Sequence, residues 1–217
     1  MRVYHFLKSQ FGLEDIELRH LKIARIGELN DPFEFGARAD NELERLALRR
    51  MKEEQSKKTG LLCFSKTWSN PVLWSHYADR HQGICLGFDV PDSLAKSVTY
   101  RKTPLRFNRK RYLADSNFAQ EFAELLVSTK FDDWQYEDEV RLYVTLDPGT
   151  NTNGLYFYSF SDSLKLCEVV VGAASAVSRE DLRVALGDIA GNVVVKKGRM
   201  AFKSFQIIEQ KKAQLWT

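Results

Sequence analysis

Four short segments hold the side chains best suited to chemistry. They are Tyr4-His5, Asn30-Asp31-Pro32-Phe33-Glu34, Cys63-Phe64-Ser65 with the following Trp74-Ser75-His76-Tyr77-Ala78-Asp79, and Tyr136-Glu137-Asp138-Glu139-Val140-Arg141. In an extended strand, alternate side chains share a face at roughly 6.5–7 Å spacing. Glu137, Glu139, Arg141 and Tyr143 would then stand together, with Val140, Leu142 and Val144 behind them. Trp74 and Tyr77, three apart, lie on one side of a helix. Rigid aromatic walls around a few polar groups make a ligand pocket. Each segment also has a plain alternative: a cross-strand ion pair for Glu139 and Arg141, a core stripe for Trp74 and Tyr77, and an Asx-type turn for Asn30 or Asp31.

The elements that must position these groups follow from periodicity. Val3–Phe6, Leu21–Ile26, Leu61–Ser65, Ile84–Asp89, Glu137–Leu146, Leu155–Phe160, Leu164–Val171, Val193–Lys197 and Phe205–Glu209 read as strands, with two short ones bracketing Thr103–Pro104. Helices are expected over Leu13–His20, Asn41–Lys58, Ser116–Thr129 and Ser178–Leu186, and from Pro71, capped by Ser69 or Asn70, to about Arg80. The long helix should turn Leu43, Leu46, Ala47 and Met51 inward, and the one after it Phe118, Phe122, Leu125 and Leu126. Pro32 keeps Leu29–Phe35 a loop. Strands interspersed with short helices predict an α+β fold, a mixed and mostly antiparallel sheet with helices packed against it, in a single domain over residues 1–217.

Composition bounds the function classes. A net charge of +3 over 61 ionised Lys, Arg, Asp and Glu side chains predicts no polyanion partner. A local run, Arg101, Lys102, Arg106, Arg109, Lys110 and Arg111 among Tyr100, Phe107 and Tyr112, could track nucleic acid, or be a solvated strand pair and turn. Three separated cysteines suggest a reducing compartment. The opening MRVYHFLKSQ lacks a secretory leader, and no apolar run could span a bilayer, so the expected location is cytoplasmic, without a membrane partner. His5, His20, His76 and His81 lack zinc spacing, so no metal site is expected. Asp31, Glu34, Glu137 and Glu139 could serve a hard cation, but without a signature. A G-x-S-x-G elbow and a phosphate-cradling glycine loop are both missing.

The N-D-P-F-E, C-F-S, W-S-H-Y-A-D, G-I-C-L-G-F-D and W-Q-Y-E-D-E-V-R boxes, in that order, resemble the bacterial domain-of-unknown-function family numbered twenty-nine seventy-one. That resemblance implies no activity. A second one does. Tyr4-His5, Phe64-Ser65, Tyr77, the Ile84–Asp89 strand and Glu139 before Val-Arg-Leu-Tyr are similar to the pattern of diphtheria-toxin-type mono-ADP-ribosyltransferases. It implies NAD as substrate, His5 on the nicotinamide-side ribose, Phe64 and Tyr77 about the nicotinamide ring, and Glu139 steadying the opening glycosidic bond. Phe64 stands where the toxins carry tyrosine, and Glu168 rivals Glu139. The expectation is an NAD-using, ADP-ribosyltransferase-like enzyme, a bacterial toxin or phage-defence effector. Glu139, His5 and Tyr77 would be catalytic, with Phe64, Ser65, Trp74, His76, Asn30, Asp31, Glu34, Glu137 and Arg141 around the ligand. The alternatives are a nucleic-acid or protein-binding module and a metal-assisted nuclease.

Overall fold

The first strand, β1 (Arg2–Leu7), leads into α1 (Ser9–Leu18), whose C-cap Arg19 adopts left-handed backbone (φ 57°) before β2 (His20–Arg25). This computed structural model describes residues 1–216. A 3-10 turn and the N-D-P-F-E loop precede β3 (Ala37–Arg38) and α2 (Glu42–Lys58). The Asn41 side chain caps α2 by accepting from Glu44 N, with acids in its first turn and lysines in its last, as the helix dipole favours. Next come β4 (Thr59–Ser65), α3 (Pro71–Tyr77) and β5 (Ile84–Asp89). After β6 (Lys96–Ser97), β7 (Thr99–Arg101) and β8 (Leu105–Arg106) lie α4 (Arg109–Ala114) and α5 (Ser116–Val127). The chain ends with β9 (Thr129–Phe131), β10 (Glu139–Thr145), β11 (Tyr156–Ser159), β12 (Lys165–Val171), α6 (Arg179–Leu186), β13 (Val194–Met200) and β14 (Ile207–Glu209).

Ten strands form one sheet in the order β11-β2-β4-β1-β5-β12-β13-β14, with β10 added on β4 and β6 on β10. Every pairing in it is antiparallel except β12 with β13, which α6 joins as a crossover. The α+β, mixed and mostly antiparallel expectation therefore describes the fold. The short pairs β3–β8 and β7–β9 are parallel, and β3, β6, β9 and α4 escaped periodicity because two to six residues carry too few repeats.

The arrangement around β4 matters most. One edge of β4 pairs with β10 along its whole length, Glu139 opposite Ser65 and Thr145 opposite Thr59. The other edge is shared: β2 meets it at Gly60 and Leu61, and β1 meets it at Ser65. Between those contacts β1 and β2 diverge, leaving a notch at Leu62–Phe64. Buried backbone groups need partners, and the Cys63 carbonyl finds one in the His5 ring, 2.7 Å from Nδ1.

Two faces of the sheet are packed. Val3, Leu62, Phe64, Leu86, Phe88, Val140 and Leu142 belong to one apolar core, while Met51, Leu61, Phe107, Phe122 and Leu126 form another under α2 and α5. Three inward assignments fail. Leu43 and Leu46 are exposed on α2, which docks through Ala47, Leu48 and Met51 instead. Leu125 is likewise exposed, and Ala123 and Val127 join Phe122 and Leu126 against the core. In both helices the contact stripe is rotated, because the partner surface, not helix periodicity, selects which apolar residues are covered. The expected helix to Arg80 ends at Tyr77. Asp79, Arg80 and His81 all take left-handed backbone, and Gly83 closes the turn where a Cβ would fall 2.1 Å from the Leu7 carbonyl oxygen.

Candidate functional site

Behind the notch lies a cavity of about 270 Å³. Its wall includes Tyr4, His5, Phe64, Ser65, Asn30, Glu34, Tyr77, Lys130, Glu137, Glu139 and Arg141. Segments more than a hundred residues apart thus meet in one place. Strand pairing explains part of this: Glu139 is opposite Ser65 and Arg141 opposite Cys63, so all four side chains share the sheet face turned toward the cavity. Val140 and Phe64 point to the other face. His5 and Phe64, in edge contact at 5.6 Å between ring centroids, reach the cavity through the gap between β1 and β2.

Glu137 arrives differently from expectation. It is not in the strand but closes the 3-10 helix Asp132–Glu137, and Asp138 turns the chain through left-handed backbone (φ 43°). That turn lets Glu137 and Glu139 face the same cluster from successive elements. Lys130 comes from β9, which pairs with β7 so that Lys130 stands beside Tyr100. The Tyr100 hydroxyl accepts from Glu139 N at 2.8 Å, and burial pushes its pKa up to about 12. Glu34 is delivered by the N-D-P-F-E loop. In it the Asp31 carboxylate accepts from Phe33 N at 2.9 Å, and the Glu34 carbonyl accepts from Lys52 Nζ at 2.6 Å.

The five charged groups interlock. Arg141 grips Glu139 through Nε (2.7 Å) and Nη2 (3.0 Å), grips Glu34 through Nη2 (2.6 Å) and Nη1 (3.1 Å), and donates from Nη1 to the Val127 carbonyl (2.5 Å). Such forked contacts are the strong form of carboxylate–guanidinium pairing. Lys130 Nζ sits 2.5 Å from Glu137, 3.1 Å from Glu139 and 3.5 Å from Glu34. Glu137 receives a further hydrogen bond from the Tyr77 hydroxyl at 2.5 Å, and that hydroxyl accepts from Asn30 Nδ2 at 2.9 Å. Glu34, Lys130, Glu137, Glu139 and Arg141 are all buried.

Burial sets the protonation. It raises the pKa of Glu137, outweighing the pull of Lys130 and Tyr77. Burial would also raise Glu139, but Arg141 and Lys130 hold it below the ordinary carboxylate value. Burial and the Glu137 carboxylate raise Tyr77, which therefore stays a phenol. Burial lowers His5, against its bond to the Cys63 carbonyl. A carbonyl only accepts, so the neutral ring carries its proton on Nδ1 and keeps a lone pair on Nε2.

Three expected residues lie elsewhere. Trp74 is wholly buried in a separate apolar cluster, its Nε1 donating to the Trp68 carbonyl at 2.5 Å. His76 is on the exposed side of α3, stacked on Tyr136. Asp31 is buried as the brace of its own turn. Glu168 belongs to a second buried cluster, paired with Lys196 and accepting from the Tyr4 hydroxyl at 3.1 Å. None of the six basic residues from Arg101 to Arg111 lines the cavity. Arg106 pairs with Asp40, and Arg111 lies over the Phe118 ring. Of the acids considered for a hard cation, Glu34, Glu137 and Glu139 do converge, but the Lys130 ammonium occupies the point between them. No group of three His, Cys, Asp or Glu among the described residues is arranged to hold a metal ion. Sequence inspection missed Lys130, because a lone lysine in Thr-Lys-Phe carries no mark of burial.

A family model described as a protein of unknown function (DUF2971) matches residues 73–142. The stretch contains Tyr77, Lys130, Glu137, Glu139 and Arg141, whereas His5, Asn30, Glu34, Phe64 and Ser65 fall outside it. The chain matches no curated protein and no solved structure. No helix among the described residues is long and apolar enough to cross a membrane.

Proposed function

We propose that the cavity binds the nicotinamide–ribose end of NAD and that the chain transfers ADP-ribose from it. The observation carrying this reading is the meeting of His5, Phe64, Tyr77, Glu137 and Glu139 in one hollow at the fork of β1 and β2. A volume of about 270 Å³ is near the small end of ligand sites, enough for a ring and sugar rather than a whole dinucleotide. His5 Nε2 accepts from a ribose hydroxyl and Tyr77 supplies aromatic surface, with Phe64 meeting the cavity only at the gap beside His5. Cleavage sends the electron pair of the ribose C1′–nitrogen bond to nicotinamide, leaving positive charge on the sugar for an acceptor nucleophile to quench. A fixed carboxylate stabilises that charge.

We assign Glu137 and Glu139 different parts in this reading, on their hydrogen bonding. Glu139 bridges both cations, its two oxygens engaged by Arg141 and one also by Lys130, whereas the Glu137 oxygens are held by Lys130 and the Tyr77 phenol. Glu137, linked to Tyr77 at the cavity wall, is the carboxylate that answers the sugar's charge. The test is nicotinamide release from NAD by the wild type and by Glu137→Gln, His5→Asn, Tyr77→Phe and Glu168→Gln. Glu137→Gln should lower the rate by about a hundredfold or more, in the range of losing one electrostatic stabiliser. Glu168→Gln should leave it nearly unchanged. Release that survives Glu137→Gln and Glu139→Gln together would end the proposal.

A further inference from the structure

The antiparallel turn between β13 and β14 carries the two most exposed large apolar side chains among the described residues. Phe202 is 93% and Phe205 97% exposed, with Met200 beside them at 72%. The turn is a built structure. Ala201 N donates to the Gln206 carbonyl at 2.9 Å, and Met200 is paired with Ile207. Its root is fixed, since Ile207 N donates to the Ser69 carbonyl at 2.8 Å and the Ile207 side chain is buried with Phe6, Leu73 and Trp74. Two phenylalanines on an anchored projection contribute nothing to the folded core, and apolar surface concentrated in this way marks a contact site.

The charge of this segment is mostly basic. Between Val194 and Lys212 stand Lys196, Lys197, Arg199, Lys203, Lys211 and Lys212 against the single acid Glu209. Lys196 is paired with Glu168, and Lys197 donates to the Ser175 carbonyl at 2.6 Å. Arg199 lies over the Phe202 ring, 5.0 Å from its centroid. Lys203, Lys211 and Lys212 are exposed and form no ion pair among the described residues.

We infer that this turn docks on an anionic lipid surface, Phe202 and Phe205 entering the interface while Lys203 and Arg199 meet headgroups. Long basic side chains keep their charge at headgroup level while their stems lie on apolar surface. Single-stranded nucleic acid would use a groove tracking its backbone, with open ring faces for stacking. Here the rings project outward, and one face of Phe202 already carries a guanidinium. The contact is peripheral, independent of the cavity chemistry, and needs no spanning helix.

The test is co-sedimentation of the full chain with vesicles of phosphatidylcholine alone or mixed with phosphatidylglycerol. The wild type should partition onto the mixed vesicles and much less onto the neutral ones. Phe202→Ser/Phe205→Ser should weaken partitioning by about tenfold or more, since each ring loses apolar burial. Lys203→Glu should weaken it by about fivefold or more, near the expected worth of a surface cation. The melting temperature should stay the same, because the rings pack against nothing in the core. Phe205→Trp should add emission that brominated lipid quenches. No binding to mixed vesicles, binding unaffected by the double substitution, or an unquenched Trp at 205 overturns the inference. So does binding of single-stranded oligonucleotide, but not vesicles, that requires both phenylalanines.

Discussion

Three carboxylates and two cations share one buried space, so the cluster carries one negative charge too many unless a proton or a ligand supplies the balance. Isolated charges are costly to bury. The two glutamates that flank Asp138 respond in opposite directions. Glu139, depressed by Arg141 and Lys130, adds stability that is present above its unfolded pKa and lost as pH falls through its folded one. Glu137, raised by burial, adds stability at low pH that is lost as pH rises through its folded value. In the proposed reading, a cationic nicotinamide or an opening ribose would offer the missing charge at neutral pH. The imidazole makes a separate prediction. His5, held by the Cys63 carbonyl and lowered by burial, should show the Nδ1–H tautomer and stay neutral at pH 6.5 in nitrogen-15 NMR. A charged ring, or the Nε2–H form, would contradict the geometry.

Helix α1 and strand β2 hold a second test. Asp15 is buried where α1 turns into β2, its carboxylate 3.5 Å from His20 Nε2. Burial, with Glu14 nearby, pushes its pKa up to about 7, while burial lowers His20, so both groups are neutral between the lowered His20 value and about 7. The folded state is favoured below the unfolded pKa of Asp15 and loses that advantage as pH climbs toward 7. Asp15→Asn removes the penalty. It should stabilise the protein by about 1–2 kcal/mol at pH 8, a discount on the roughly 1.4 kcal/mol per pKa unit because the carboxylate is not fully sealed from water. The gain should vanish below about pH 4, as denaturation at the two pH values can show. A loss of stability at pH 8 would mean the charged Asp15–His20 pair is the native form.

Elements of this size were legible where their repeats are long. The bounds of β5 emerge directly from Gly83 and the Pro91–Asp92 turn, and Asn70 with Pro71 marks the start of α3. The alternation of Glu139, Arg141 and Tyr143 against Val140 and Leu142 is real, but on its polar side Glu139 and Arg141 are buried and Tyr143 is exposed. No pattern in the chain reveals that β9 would bring Lys130 in, because parallel pairing of three-residue strands depends on contacts distant in sequence. Nor does any local signal show β1 and β2 parting along one edge of β4, though that parting makes the cavity.

At the scale of the molecule, Arg141 ties the N-D-P-F-E loop, β10 and the end of α5 into one body through Glu34, Glu139 and the Val127 carbonyl. Removing one partner from such a network leaves charges buried without company, a loss of about 3–5 kcal/mol. Arg141→Met should therefore destabilise by that amount in chemical denaturation. Restoring balance with Glu34→Gln and Glu139→Gln should recover part of it, and a loss below about 1 kcal/mol would show that water already reaches the cluster. Whether the hollow between β1, β2 and β10 takes the nicotinamide end of NAD is decided by calorimetric titration of NAD into the wild type and into Tyr77→Ala. Saturable heat in the wild type, with affinity falling at least tenfold when the phenol is removed, is the result expected. No heat from the wild type, or equal affinity in both proteins, would contradict it.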